Sequence, residues 1–399
     1  LLFLRVCVLA WRRVNLELPS EATAVLGTTS RGDPLMRAAL LAELKQPFVV
    51  EDVDLLDPTP GRVIVRTGAT PFCSTDCINQ RGDLGKVPPT ILGHASIGVV
   101  EEVGADVTHV GVGDRVLVPG TPECGHCFYC AEGRPDQCSE LFDATTYFHV
   151  AERADGAPIT AAGNVGGYAE RMNVTANQAF PLHTDLPDDM LSLLGCGITS
   201  GVGAVFNVAE VKPGRSVAVF GTGHLGLWMV QGAKVAGAGR IIAVEPIAWR
   251  REMAGRLGAT DLVDPADGDP VDQVRAFTEG RGADYALEAA GPTVAQEQAF
   301  RAARRAGTVV LTGVERLGAT VTYSQTELAL QGRRLLSCQN GNVRMRRDLP
   351  LLVGMLEDGR LDAAPIITAR YGLDQINDAL CASAEKRDLT GVIVPNGRT

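Results

Sequence analysis

Four cysteines fall within fifteen residues, as Cys124-x-x-Cys127-x-x-Cys130 and, eight residues on, Cys138. Four soft thiolates at this spacing can close a tetrahedron around one ion and leave no open position, which is the chemistry of structural zinc. A redox dithiol needs two cysteines, not four, and His126 inside the loop then reads as a surface residue. A second set is spread along the chain: Cys73 in TPFCSTD, His94 after Leu92-Gly93, and Cys196 in LLGCGITSG. Two thiolates and one imidazole would leave a fourth position for water or a substrate oxygen, as a catalytic zinc requires. Taken singly, these three read equally well as buried cysteines and a core histidine.

A third constellation suits phosphate. The stretch VAVFGTGHLGLWMVQGAKVAGAGRIIAVE places an apolar run before Gly221-x-Gly223-x-x-Gly226 and delivers Glu245 nineteen residues after the last of these glycines. Gly221 makes the turn, Gly223 lets the backbone approach a pyrophosphate, and Gly226 lets helix pack on strand. The phosphates would sit at the positive end of the helix, and Glu245 would accept from ribose hydroxyls. An acid there repels a ribose phosphate, so NAD is favoured over NADP.

These groups must be positioned by elements that the rest of the chain supplies. At 399 residues the chain exceeds the size at which one core stops growing, so two domains are expected. Residues 48–53, 62–67, 97–103 and 115–118 read as strands of a β-rich half, as do 165–174 and 178–181, whereas 141–164 shows no clean period and reads as an extended loop with a short element or two. Helices are expected at 190–194 and 201–208. From Val217 strands and helices alternate, with later strands at 261–263, 285–288, 308–311 and 334–337, and helices at 249–257, 270–279, 294–304 and 326–331. This is the pattern of a doubly wound parallel sheet. The last pieces, a helix over 347–357, Ile366-Ile367, a helix over 373–382 and a strand over 391–394, are expected to return to the first half.

A net charge of −10 offers no basic footprint, which argues against nucleic acid or an anionic membrane as partner. Ten cysteines with four clustered suit a reduced, cytoplasmic setting better than a disulfide framework. Residues 1–35 contain no 18-residue apolar run and read as an extension upstream of the domain, although their basic residues would also suit a transit segment.

Taken together the motifs resemble the zinc-containing medium-chain alcohol dehydrogenases from Met36 to the C-terminus. The family's cysteine, hydroxyl residue and aspartate stand as Cys73, Thr75 and Asp76. Its GHE motif stands as Gly93-His94-Ala95, its GCG motif as Gly195-Cys196-Gly197, and its four-cysteine lobe as Cys124 to Cys138. The resemblance implies a GroES-like barrel over 36–203 with a zinc lobe at 120–140, a Rossmann domain over 204–341, and a return segment over 342–399. It implies one catalytic zinc on Cys73, His94 and Cys196 and one structural zinc, with NAD held by Ser200, Gly221, Thr222, Gly223, His224, Leu225, Gly226, Glu245 and Gly313. Hydride would pass from an alcohol to NAD, Thr75 would carry the proton, and Asp76 would orient His94; a turn hydroxyl and a helix cap are the plainer roles for those two.

The chain departs from the family at Ser74, Ile78, Ala95 and Thr390, where relatives carry a basic residue, a relay histidine, a glutamate and an arginine. Arg344 or Arg346 could then serve the cofactor, or form a solvated basic loop. Residues 139–164 and the GNVRMRRDLP stretch resemble a long-loop, dimeric branch, which includes enzymes acting on larger or conjugated alcohols, thiol-adduct formaldehyde dehydrogenases, and members with tightly held NAD. Non-oxidative or conjugated-bond chemistry with bound NAD and a non-catalytic zinc-stabilised binding protein are the alternatives.

Overall fold

The structure is a computed structural model that describes residues 35–142 and 148–397. The extension expected over 1–35 lies, but for Leu35, outside the described residues. Among the described residues, six strands form one parallel sheet in the order Asp261–Val263, Arg240–Val244, Ser216–Phe220, Ala283–Glu288, Ala303–Leu311 and Arg334–Ser337. The order reverses beside Ser216–Phe220, so the glycine turn that follows this strand opens at the crevice where a doubly wound sheet takes its ligand. Parallel strands covered on both faces must be apolar at every position. Val217 and Val219 accordingly pack into one core, and Ala218 and Phe220 into another on the opposite face.

The β-rich half has two parts. Met36–Leu41, Val49–Leu55, His149–Glu152, Pro158–Ala161 and Thr90–Ile91 form a closed barrel. A second sheet runs Phe180–Pro181, Arg115–Pro119, Ala95–Val103, Arg62–Phe72, Thr390–Ile393 and Ile367–Tyr371, with Arg171–Thr175 also on Arg62–Phe72. The late strand Thr390–Ile393 pairs antiparallel with Thr70–Phe72, so the end of the chain lies beside the start of the site.

The short elements expected within 141–164 are two strands that help close the barrel. Two local expectations change. The strand expected over 165–174 is confined to Arg171–Thr175, because Gly166 takes φ of +69° and the chain bends there. The helix expected over 201–208 starts at Gly197 and passes into a wider turn over Ala204–Val208. Among the described residues no single helix is long and apolar enough to cross a membrane.

Candidate active site

Cys73 sits where the strand Arg62–Phe72 becomes the helix Ser74–Gln80, and it is that helix's N-cap residue. Its backbone N–H donates to Asp76 Oδ2 at 3.2 Å. Asp76 is fully buried, and its Oδ1 lies 3.3 Å from His94 Nδ1. The cap and the orienting carboxylate are therefore one residue with two functions. A third group, Tyr168, donates its hydroxyl to Asp76 Oδ2 at 2.7 Å. Tyr168 is itself fixed by rings: it stacks on Phe72 at 5.5 Å, and Phe48 meets it edge-on at 6.1 Å. No spacing in the sequence points to Tyr168, which comes from a turn ninety-two residues away from Asp76.

His94 follows Gly93, whose φ is +82° and whose missing Cβ leaves room for Tyr168 and Thr70. Cys196 lies at a kink between Asp188–Gly195 and Gly197–Val208. The glycines on either side are both required by packing, since a Cβ on Gly195 would stand 2.7 Å from Ala95 Cβ and one on Gly197 would overlap the His224 ring.

The ligand atoms of Cys73, His94 and Cys196 all lie within 4.8 Å of one another. The hydrogen bond with Cys196 holds the Cys73 thiol well below its ordinary range, against burial and with help from His94. Cys196 is pushed well above that range by Cys73 and by burial. Two thiols this close share one negative charge, and a divalent cation between them lets both ionise. Burial works against a charged His94, while Asp76 and the two cysteines hold its pKa well up. With Nδ1 turned to Asp76, the imidazole leaves Nε2 for a metal. The residues therefore fit zinc.

The four cysteines of the lobe also converge within 4.8 Å. Burial opposes ionisation of Cys127, but the backbone N–H groups of Ser139 and Cys130 bring it down to about 6, whereas burial raises Cys130 to about 11. Cys138 is fully buried and raised further. This is again a donor set that a soft cation completes.

The glycine turn fits a dinucleotide. Gly221 has φ of +86°, and a Cβ on Gly226 would lie 1.8 Å from the Gly221 carbonyl oxygen. A Cβ on Gly223 would meet only Arg250 Nη1, at 3.5 Å, so this side of the backbone can be approached. The helix His224–Val235 starts without a side-chain cap, which leaves its first N–H groups for an anion. Glu245, 5% exposed, receives Thr222 N–H at 2.8 Å and Ile247 N–H at 3.0 Å. It thus braces the turn, and each oxygen keeps a second lone pair for a ribose hydroxyl. Leu225 packs half-buried against the core. Ser200 lies on Gly197–Gly203, with its hydroxyl 3.4 Å from Asn340 Oδ1, and Gly313 donates to Glu288 at 3.2 Å.

Several groups stand where sequence reasoning did not put them. Arg344 donates to the Gly133 carbonyl of the cysteine lobe and Arg346 lies over Phe180, so both are engaged by the β-rich half. Burial lowers the pKa of Lys86, which also feels the charge of Asp76. Arg250 reaches the glycine turn, with Nη1 3.5 Å from where a Cβ on Gly223 would lie, while His224, which the resemblance implies for the cofactor, opens the helix with Nδ1 against Thr390 and its ring against Gly197.

Comparison with known proteins agrees with this geometry. Residues 59–188 match the alcohol dehydrogenase GroES-like domain, and residues 225–358 match the zinc-binding dehydrogenase domain. The chain is 34% identical to an S-(hydroxymethyl)glutathione dehydrogenase of Synechocystis over 369 residues, 90% of this chain and 99% of that one. A zinc-binding alcohol dehydrogenase domain protein from Burkholderia ambifaria superposes with a TM-score of 0.85 at 32% identity, covering 90% of this chain and 98% of the other. Benzyl alcohol dehydrogenase from Acinetobacter calcoaceticus gives 0.84 at 29%, covering 90% and 99%. The chain is therefore a zinc-dependent oxidoreductase of the medium-chain alcohol dehydrogenase family, with a GroES-like domain joined to a Rossmann domain.

Proposed function

We propose that the enzyme oxidises a primary alcohol or a hydroxymethyl thiol adduct with NAD, at a site made of Cys73, Thr75, Asp76, His94 and Cys196. The observation that carries this reading is the convergence of two thiols and an Asp76-oriented imidazole. Zinc, when bound by the three ligands, supplies Lewis-acid polarisation of a substrate oxygen. NAD, when bound, supplies the hydride acceptor.

The chain's own groups do the rest. Asp76 and Tyr168 keep His94 in one tautomer and one orientation. Thr75, half-buried beside Cys73, takes the alcohol proton at its hydroxyl oxygen and passes it outward. Ile78 has no proton to relay. Lys86 supports an anionic group on the substrate, and the curated relatives named S-(hydroxymethyl)glutathione dehydrogenase support a thiol adduct.

The domain limits proposed are 36–203, 204–341 and 342–399. Homodimerisation is supported by the resemblance of residues 139–164 to the long-loop branch, and a cytoplasmic setting by nine free cysteines among the described residues.

NADH absorbance is to be followed with S-hydroxymethylglutathione, benzyl alcohol and short alcohols. Turnover with one of these that Cys73→Ala abolishes is the expected result. Product formed without net NADH would instead indicate chemistry on retained NAD, and no turnover with any alcohol would overturn the reading. Lys86→Gln is expected to lower kcat/KM for the glutathione adduct about tenfold while sparing benzyl alcohol.

A further inference from the structure

A cavity of about 530 Å³ lies between the cysteine lobe, the wider turn over Ala204–Val208 and the start of the helix Met345–Glu357. None of the residues that line it belongs to the zinc ligands or the glycine turn. Its cations come from three separate segments: Arg134 from the lobe, Lys212 from the chain after the wider turn, and Arg344 with Arg347 from the helix start. Phe206, half-buried, and Val211 form an apolar patch on the same wall.

These cations are held in place and keep donors to spare. Arg134 gives Nε and Nη2 to Asp136 at 2.8 and 2.7 Å, and Arg347 gives Nε and Nη2 to Asp348 at 2.5 and 2.8 Å, which leaves Nη1 of each. Arg347 also feels the charge of Glu123. Arg344 gives Nε to the Gly133 carbonyl at 2.9 Å and, among the described residues, forms no ion pair. Gly133 has φ of +75°, and Arg344 Nη2 lies 2.2 Å from where its Cβ would be, so the guanidinium rests on bare backbone. Lys212 Nζ stands 3.8 Å from Glu210 Oε2, too far for a hydrogen bond. The wall opposite is rigid: Asn207 Nδ2 donates to the Gly341 carbonyl at 3.2 Å, and Thr199 Oγ1 to Asn340 Oδ1 at 2.9 Å.

Guanidinium forks from distinct segments around one hollow match the oxygens of a phosphate, and an apolar patch beside them suits a ring. We propose that this cavity is a second ligand site, separate from those of the alcohol and NAD, and that it takes an organic phosphate monoester. Arg344 and Lys212 hold the phosphate oxygens, Arg134 and Arg347 each add Nη1, and the organic part lies on Phe206 and Val211. Glu210, on the same wall, repels a ligand carrying many charges, which favours a monoester over a polyphosphate.

The test is calorimetric titration of the zinc-loaded full chain with phenyl phosphate, inorganic phosphate and NAD. Phenyl phosphate is expected to bind the wild type more tightly than inorganic phosphate does. Arg344→Gln is expected to weaken phenyl phosphate about tenfold and Lys212→Gln about threefold, with zinc content and NAD affinity unchanged. A wild-type chain that does not bind phenyl phosphate would overturn the proposal, and so would binding that both variants reproduce. Equal affinity for inorganic phosphate would overturn the role given to Phe206 and Val211. A parallel loss of NAD in Arg344→Gln would assign that arginine to the cofactor and overturn the separate site. If Arg344→Gln fails to fold, Lys212→Gln decides, since the Lys212 side chain is 66% exposed and its loss leaves the packing intact.

Discussion

Asp76 is the residue on which most of the site chemistry turns. It is fully buried, caps its own helix, faces His94 and accepts from Tyr168. Asp76→Asn keeps the shape but loses the charge that favours His94 as a ligand. It is expected to weaken zinc at the Cys73 site about 10- to 100-fold, measured by competition with a chelator, with the four-cysteine zinc unaffected. Tyr168→Phe keeps the stack on Phe72 and removes one hydrogen bond to a charged group. A fall in unfolding free energy of about 2 kcal/mol is expected, read from urea titration.

At the scale of elements, the glycine turn depends on contacts that no side chain can yield. A Cβ on Gly226 would press to 1.8 Å on the Gly221 carbonyl, which is backbone and cannot rotate away. Gly226→Ala is expected to abolish NAD binding by calorimetry while the two zincs stay bound. At the other end of the strand Ser216–Phe220, Asp284 of the neighbouring strand accepts from Ser216 N and Oγ, both at 2.9 Å, and from Arg304 Nε at 2.8 Å. Burial raises its pKa, but the Ser216 N–H and Arg304 outweigh that and hold it below the ordinary value. A carboxylate depressed on folding stabilises the protein fully above its unfolded pKa, near 4, and the contribution is lost as pH falls through the folded value. Wild type and Asp284→Asn are therefore expected to differ in thermal midpoint at pH 7 and to converge as pH falls below the folded value.

Among the described residues, the metal-bearing half and the cofactor-bearing half are joined by side chains as well as by the chain. His224 to Thr390 and Thr199 to Asn340 are hydrogen bonds of this kind, the latter at 2.9 Å. The two metal sets lie in different parts of the molecule and should be separable. Native mass spectrometry is expected to show two zincs per chain. Cys73→Ala should lose one and retain the fold, while Cys124→Ser should lose the other and lower the thermal midpoint by several degrees, because the lobe has little apolar core of its own. One zinc per wild-type chain would contradict this assignment.

Ligand identity was legible in the sequence wherever the chemistry depends on local spacing. Four thiols within fifteen residues must lie close whatever surrounds them, and a strand, three glycines, a helix and an acid make one contiguous unit whose steric needs are local. The alternation from Val217 onward likewise announced the parallel sheet. Tertiary structure decided what depends on distant segments meeting. Tyr168 reaches Asp76, Thr390 reaches His224, and Arg344 goes to the cysteine lobe instead of the cofactor turn. Each of these contacts is a choice among many partners of equal chemistry, and only the packing of rings, the pairing of Thr390–Ile393 with Arg62–Phe72 and the absence of a Cβ at Gly93, Gly195 and Gly197 make it. Local sequence can state which groups are reactive. Which of them share a site is set by long-range burial and register.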